Sequence, residues 1–110
     1  MKKQDMLKKN KDFRYVVSRG KSFKSQSMVL ICAKYHSGVK VGFSVSSKLG
    51  NAVVRNRTKR IMRAGLGCLF ADMKQNTAYF FIARRELIGK KSGFAENEMR
   101  ELLARAGMLC

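Results

Sequence analysis

Lys48-Leu49-Gly50-Asn51-Ala52-Val53-Val54-Arg55-Asn56-Arg57-Thr58-Lys59-Arg60-Ile61-Met62-Arg63 joins a turn signal to a basic, amphipathic segment that contains no acidic residue. Gly50-Asn51 supplies the turn and an N-cap, with the Asn51 side-chain oxygen placed to accept from the free N–H of Val53 or Val54. At roughly 100° per residue, Arg55, Lys59, Arg63, Asn56 and Arg60 fall within one arc of about 140°. Val54, Thr58, Ile61, Met62 and Leu69 fall on the other side, and Arg57 lies near the border, closer to the apolar arc. The stretch predicts a helix with one face to bury and one to present. It also lies between two strand-like runs, and the span from Val39 to Thr77 is long enough for a crossover between parallel strands.

A basic helical face is commonly just solvated, with Glu or Asp at i,i+4 relieving the repulsion. The C-terminal segment has that relief in Glu96/Arg100 and Glu101/Arg105, but the basic helix sits in an acid-free zone from Phe13 to Ala71. Arg55, Lys59, Arg60 and Arg63 on adjacent turns repel one another unless a polyanion neutralises them, and phosphate is the matching chemistry.

The 110 residues suffice for one domain with a two-layer core, and residues 1–110 are read as a single nucleic-acid-binding unit with a polar lead-in, 1–9, expected to be mobile. An apolar share of 45% argues against disorder despite a net charge of +17. A pI near 10.5 is the footprint of a nucleic-acid binder. No apolar run approaches a membrane span, and Met1-Lys2-Lys3 is not followed by the apolar stretch of a secretory signal. Cys32, Cys68 and Cys110 have no metal-like spacing and read as reduced thiols of a cytoplasmic protein, Cys32 and Cys68 as packing residues.

Outward from the basic helix, Asn10 is positioned to cap a short helix through about Arg19, with Phe13, Val16 and Val17 as its apolar stripe and Gly20 ending it. Lys21 to Gln26 is polar, with room for a short strand through Phe23. Met28 to Tyr35 is rich in strand formers, His36-Ser37-Gly38 is a turn, and Val39 to Ser46 alternates Val39, Val41, Phe43 and Val45 against Lys40, Gly42, Ser44 and Ser46. The pair reads as an antiparallel hairpin whose second face is small and polar. Thr77 to Ala83 is a further strand, Leu87 to Gly93 a loop, and Ala95 to Ala106 a last helix burying Met99, Leu102, Leu103 and Ala106. The order α-β-β-(β)-α-β-α calls for an α+β sandwich of helices on one mixed open sheet, and the general rule makes its crossover right-handed.

An independent active site is not legible. The acids are Asp5, Asp12, Asp72, Glu86, Glu96, Glu98 and Glu101, none paired near the basic helix, and the single histidine, His36, sits in a turn. Gly65-Leu66-Gly67 lacks the rest of a phosphate-loop or dinucleotide motif. A free-standing metal-dependent nuclease would have to rely on Asp72 or His36.

The run from Val41-Gly42-Phe43-Ser44-Val45-Ser46-Ser47 through Lys48-Leu49-Gly50-Asn51 to Arg55-Asn56-Arg57 and Arg63 resembles the signature of the bacterial ribonuclease P protein component. Leu7 to Phe13 is similar to that family's first helix, and Ile82-Ala83-Arg84 to its late strand, so the likeness covers most of the chain. The resemblance implies a small cytoplasmic subunit that binds the catalytic RNA and the 5′ leader of precursor tRNA. It implies Mg2+-dependent removal of that leader, with the RNA as catalyst and Mg2+ held mainly by the RNA. Lys48, Arg55, Asn56, Arg57, Lys59, Arg60 and Arg63 match the helix that faces the catalytic RNA, Asn56 also suiting a base edge or an outer-sphere contact to a metal ion. Phe13 and Val17 match the leader cleft, although Phe13 also suits plain core packing, and Val17 replaces an aromatic common in relatives. Lys8, Lys9, Arg14 and Lys24 suit phosphate contact or solvation equally. The resemblance further implies a left-handed β-α-β crossover like that of a ribosomal protein domain, against the general rule. Mutual repulsion suggests a monomer when free. Ser47 stands where a Lys is common, and Gly65 and Gly67 are expected to shorten or kink the motif helix. The alternative class is a structural RNA-binding protein of ribosomal type.

Overall fold

Thr77–Ala83, Thr-Ala-Tyr-Phe-Phe-Ile-Ala, consists of strand formers that are almost all buried, and such a strand needs neighbours on both edges. The computed structural model describes Met6 and residues 10–109, with side chains from Phe13 onward. Its elements are α1 (Asn10–Arg19), β1 (Lys21–Lys24), β2 (Met28–Lys34), β3 (Val39–Ser44), α2 (Ala52–Gly67), β4 (Thr77–Ala83) and α3 (Ser92–Arg105), an α+β fold. Single 3-10 turns at Ser47–Leu49, Phe70–Asp72 and Arg85–Leu87 punctuate the connections. Lys8, Lys9, Cys110, the Asn10 cap and most of the lead-in lie outside the described residues. Met6 makes a parallel bridge with Val41 on the free edge of β3.

The mixed sheet has the order β1-β2-β4-β3. β4 is antiparallel to β2, pairing Ile31 with Phe80, and parallel to β3, pairing Phe43 with Phe81. This corrects the expected hairpin. β2 and β3 run in opposite directions but do not pair, because β4 inserts between them and gives each an edge to bond. The crossover from β3 through α2 to β4 does join parallel neighbours, and the short strand through Phe23 is β1.

Side-chain alternation divides the core. Met28, Leu30, Cys32, Val41, Phe43, Tyr79 and Phe81 point to one face, where Met62 and Leu66 of α2 and Met99, Leu102 and Leu103 of α3 cover them. Ile31, Ala33, Ala78 and Phe80 point to the other, where Val16 of α1 sits at zero exposure with Phe13 packed beside it. Val17 is 54% exposed and not part of that stripe, because α1 rests on Val16 and Val17 is rotated about 100° from it.

Two local features depart from the sequence reading. α2 is not cut short at Gly65: it runs to Gly67, and Gly65 is where the α3 backbone approaches. α3 begins at Ser92, one turn earlier than read, because its apolar pattern starts only at Ala95.

Candidate nucleic-acid interface

α2 starts as its sequence dictates. Asn51 is the N-cap, its Oδ1 accepting from the Val54 N–H at 3.0 Å. Before it, Ser46 Oγ accepts from the Lys48 N–H at 3.2 Å, which fixes the 3-10 turn and leaves Lys48 exposed. Gly50 is required by crowding, since a Cβ there would lie 2.7 Å from Val54 Cγ1.

Thr58, Met62, Gly65 and Leu66 are the buried residues of α2, Thr58 satisfying its hydroxyl on the Val54 carbonyl at 2.8 Å. Their mean direction sets the solvent face, which carries Asn56, Arg57, Arg60, Arg63 and Gly67. The presented arc is thus rotated from the expected one. Arg57 belongs to the exposed side and not the apolar border, while Arg55 and Lys59 are the half-buried border residues. Arg55 Nε is buried without a hydrogen-bond partner.

No ion pair among the described residues neutralises this face. Among the described residues the ion pairs are Glu96 with Arg100 at 2.7 Å and Glu101 with Arg105 at 4.0 Å, both within α3. Those pairs are the i,i+4 relief read from the sequence, and α2 has none.

A second feature lies on the opposite face of the sheet. α1 covers β2 and β4 but leaves the β3 side open as a cleft of about 570 Å³ lined by Phe13, Arg14, Phe80 and the stretch of β3 at Phe43 and Ser44, although the Phe43 side chain packs in the core of the other face. Phe13 stands against Phe80 with ring centroids 5.1 Å apart and planes tilted by 60°. Val17 is exposed on the same helix but does not line the cleft. Phe80, Phe43 and Ser44 were not singled out as site residues, yet the alternation of β4 points Phe80 away from Tyr79 and Phe81, a usable signal. Arg14 adds an exposed cation to the wall. The two surfaces offer a cationic helix on one side and an aromatic cleft on the other, chemistry suited to phosphates and to an unpaired base.

Other titratable groups do not form a reaction centre. Among the described residues no three His, Cys, Asp or Glu side chains gather as a metal site. His36 is exposed, its ring 4.4 Å from that of Tyr35. Burial pushes the Cys32 thiol up to about 12. Cys68 is exposed, against the expectation of packing, and its hydrogen bond to Glu96 raises the thiol and lowers the carboxyl. No helix among the described residues is long and apolar enough to cross a membrane.

The family model Ribonuclease P matches residues 1–107. The ribonuclease P protein component of Clostridium novyi is 37% identical over 111 residues, covering 98% of each chain. That of Listeria innocua is 42% identical over 87 residues, covering 77% of this chain and 73% of that one. The RNase P protein structure of Staphylococcus aureus superimposes with a TM-score of 0.86 at 27% identity, covering 96% of this chain and 98% of that one.

Proposed function

The chain belongs to the bacterial ribonuclease P protein family, and on that premise we propose that it holds the catalytic RNA through α2 and the precursor-tRNA leader through the α1 cleft. It is the accessory protein subunit of an RNA-catalysed endoribonuclease of tRNA 5′ processing, and its partner is the RNA subunit of that ribonucleoprotein. A structural protein of ribosomal type is not favoured.

In this reading Arg57, Arg60 and Arg63, with Arg55, Lys59 and Lys48 flanking them, bind phosphates of the RNA subunit. Asn56, between the arginines, hydrogen-bonds a phosphate or a base edge. Phe13 stacks on an unpaired leader base, and Arg14 and Ser44 bind the adjoining backbone. Mg2+, held mainly by the RNA, supplies the Lewis-acid chemistry of phosphodiester hydrolysis. The protein's part is to lower the repulsion between two polyanions and to fix the leader relative to the RNA active site. The free protein is a cytoplasmic monomer kept apart by its charge of +17.

The single observation that carries this assignment of surfaces is the exposed α2 arc without an acidic partner among the described residues. The test is cleavage of precursor tRNA by the cognate RNA at low Mg2+, with and without the protein. A large protein-dependent gain at the mature 5′ end is expected. No gain with a folded RNA and protein would overturn the reading.

A further inference from the structure

Phe94, in the first turn of α3, is 38% exposed, and the Lys90 ammonium lies 5.2 Å from its ring centroid. Lys91 precedes the helix, and Lys90 and Lys91 are both exposed with no ion pair among the described residues. A core does not need an exposed aromatic here. An exposed ring with a cation over it and a second cation beside it forms a stacking platform flanked by phosphate-binding charge.

Nearby acids do not cancel that charge. Glu96 is paired with Arg100 and bonded by Cys68, and Glu98 accepts from Ser25 and Ser27. Glu86 is the remaining acid of that segment, against Arg84, Arg85, Lys90 and Lys91.

The patch adjoins α2. A Cβ on Gly65 would lie 3.1 Å from the Ser92 carbonyl oxygen, so the first turn of α3 is held against the last turns of α2. Gly67 continues the exposed stripe of α2 one turn beyond Arg63, and a Cβ there would meet nothing within 4 Å. Gly93, in the first turn of α3, is equally open. Packing does not require glycine at either position, and glycine is a poor helix former. Both leave a surface without side-chain bumps, which suits a close-lying polynucleotide backbone.

We propose that the surface binding the RNA subunit continues from α2 over Gly67 onto Lys90, Lys91 and Phe94, the lysines on phosphates and Phe94 stacked on an unpaired base of that RNA. The proposal rests on the family reading above and extends it to α3. Charge complementarity and continuity with α2 select the RNA subunit as the occupant.

The experiment is binding of the full-length protein to the isolated RNA subunit across a salt series, without precursor tRNA. Lys90→Ala/Lys91→Ala is expected to reduce the log-log salt slope by about 1.4–1.8, two phosphate contacts' worth. Phe94→Ala is expected to weaken binding by roughly 5- to 160-fold, with Phe94→Tyr restoring it. Gly67→Ala is expected to raise the thermal midpoint of the free protein while weakening binding, opposite signs that a merely structural role would not give. Unchanged slope and affinity in the double-lysine variant, while Arg60→Ala weakens binding, would overturn the proposal and leave the family reading standing. Unchanged affinity of Phe94→Ala for the RNA subunit would also overturn it. If Arg60→Ala is silent too, the assigned role of α2 fails together with this extension.

Discussion

Gly65 lies directly against the backbone of Glu96: a Cβ added to it would sit 2.8 Å from the Glu96 nitrogen and 3.1 Å from the Ser92 carbonyl oxygen. Both obstacles are backbone atoms, which cannot swing aside. The glycine therefore sets how closely α3 seats against the helix that carries the basic face.

Gly65→Ala should force the two helices apart and destabilise the protein by about 1–3 kcal/mol, the usual range for overpacking. Thermal unfolding checks it, a loss of 1 kcal/mol lowering the midpoint by roughly 4–8 °C in a domain of this size. An unchanged or higher midpoint would mean that α3 shifts freely, against the packing described here.

Phe13→Ala should lose leader stacking, weakening binding of leader-bearing tRNA by roughly 1–3 kcal/mol while leaving mature tRNA nearly unaffected. Phe80, only 8% exposed behind it, should behave as core, with Phe80→Ala costing about 3–5 kcal/mol of stability. Comparing the two affinities with the two unfolding curves separates cleft from core. Unfolding of Phe13→Ala would make Phe13 structural.

Asn51→Ala removes the acceptor that holds the Val54 N–H at 3.0 Å. A loss of about 1 kcal/mol is expected in denaturant titration. Asn51→Asp should retain the cap but place a negative charge at the start of the basic helix, so its stability should survive while RNA affinity falls.

Sequence periodicity made the elements and most of the core readable, because alternation and i,i+3/i+4 spacing are local properties. Pairing was not: β2 and β3 are joined by a turn that suits a hairpin, and only the unbroken apolar run of Thr77–Ala83 is a local sign that β4 needs neighbours on both edges. The basic helix was legible as a unit, but its rotation was not. The choice between Arg55 and Arg57 as the more exposed residue depends on α3 packing at Gly65, a contact across the chain that no local pattern records. The place of Val17 in the apolar stripe of α1 was misjudged for the same reason, since the resting point of α1 is set by Ile31, Ala33, Ala78 and Phe80. Resemblance to a known family, and not spacing, supplied the RNA partner and the proposed leader role of the cleft.

The two described cysteines should differ sharply in reactivity. Burial raises the Cys32 thiol from 9.0 to about 12, whereas Cys68 is exposed. In a Cys110→Ser background, a thiol reagent at neutral pH should label Cys68 and spare Cys32 until the protein unfolds. The raised Cys32 value favours the neutral thiol in the folded state, so its share of stability is intact below pH 9 and is lost as pH rises from 9 toward 12. Rapid labelling of both residues in the native protein would contradict the burial of Cys32.

The central claim is that the exposed arc of α2 meets the RNA subunit through phosphates, and its most direct test is the salt dependence of RNA-subunit affinity for the intact protein, Arg60→Ala and Arg63→Ala. Each variant should bind more weakly and show a log-log slope shallower by about 0.7–0.9. Slopes and affinities equal to those of the unaltered protein in both variants would remove α2 from the interface.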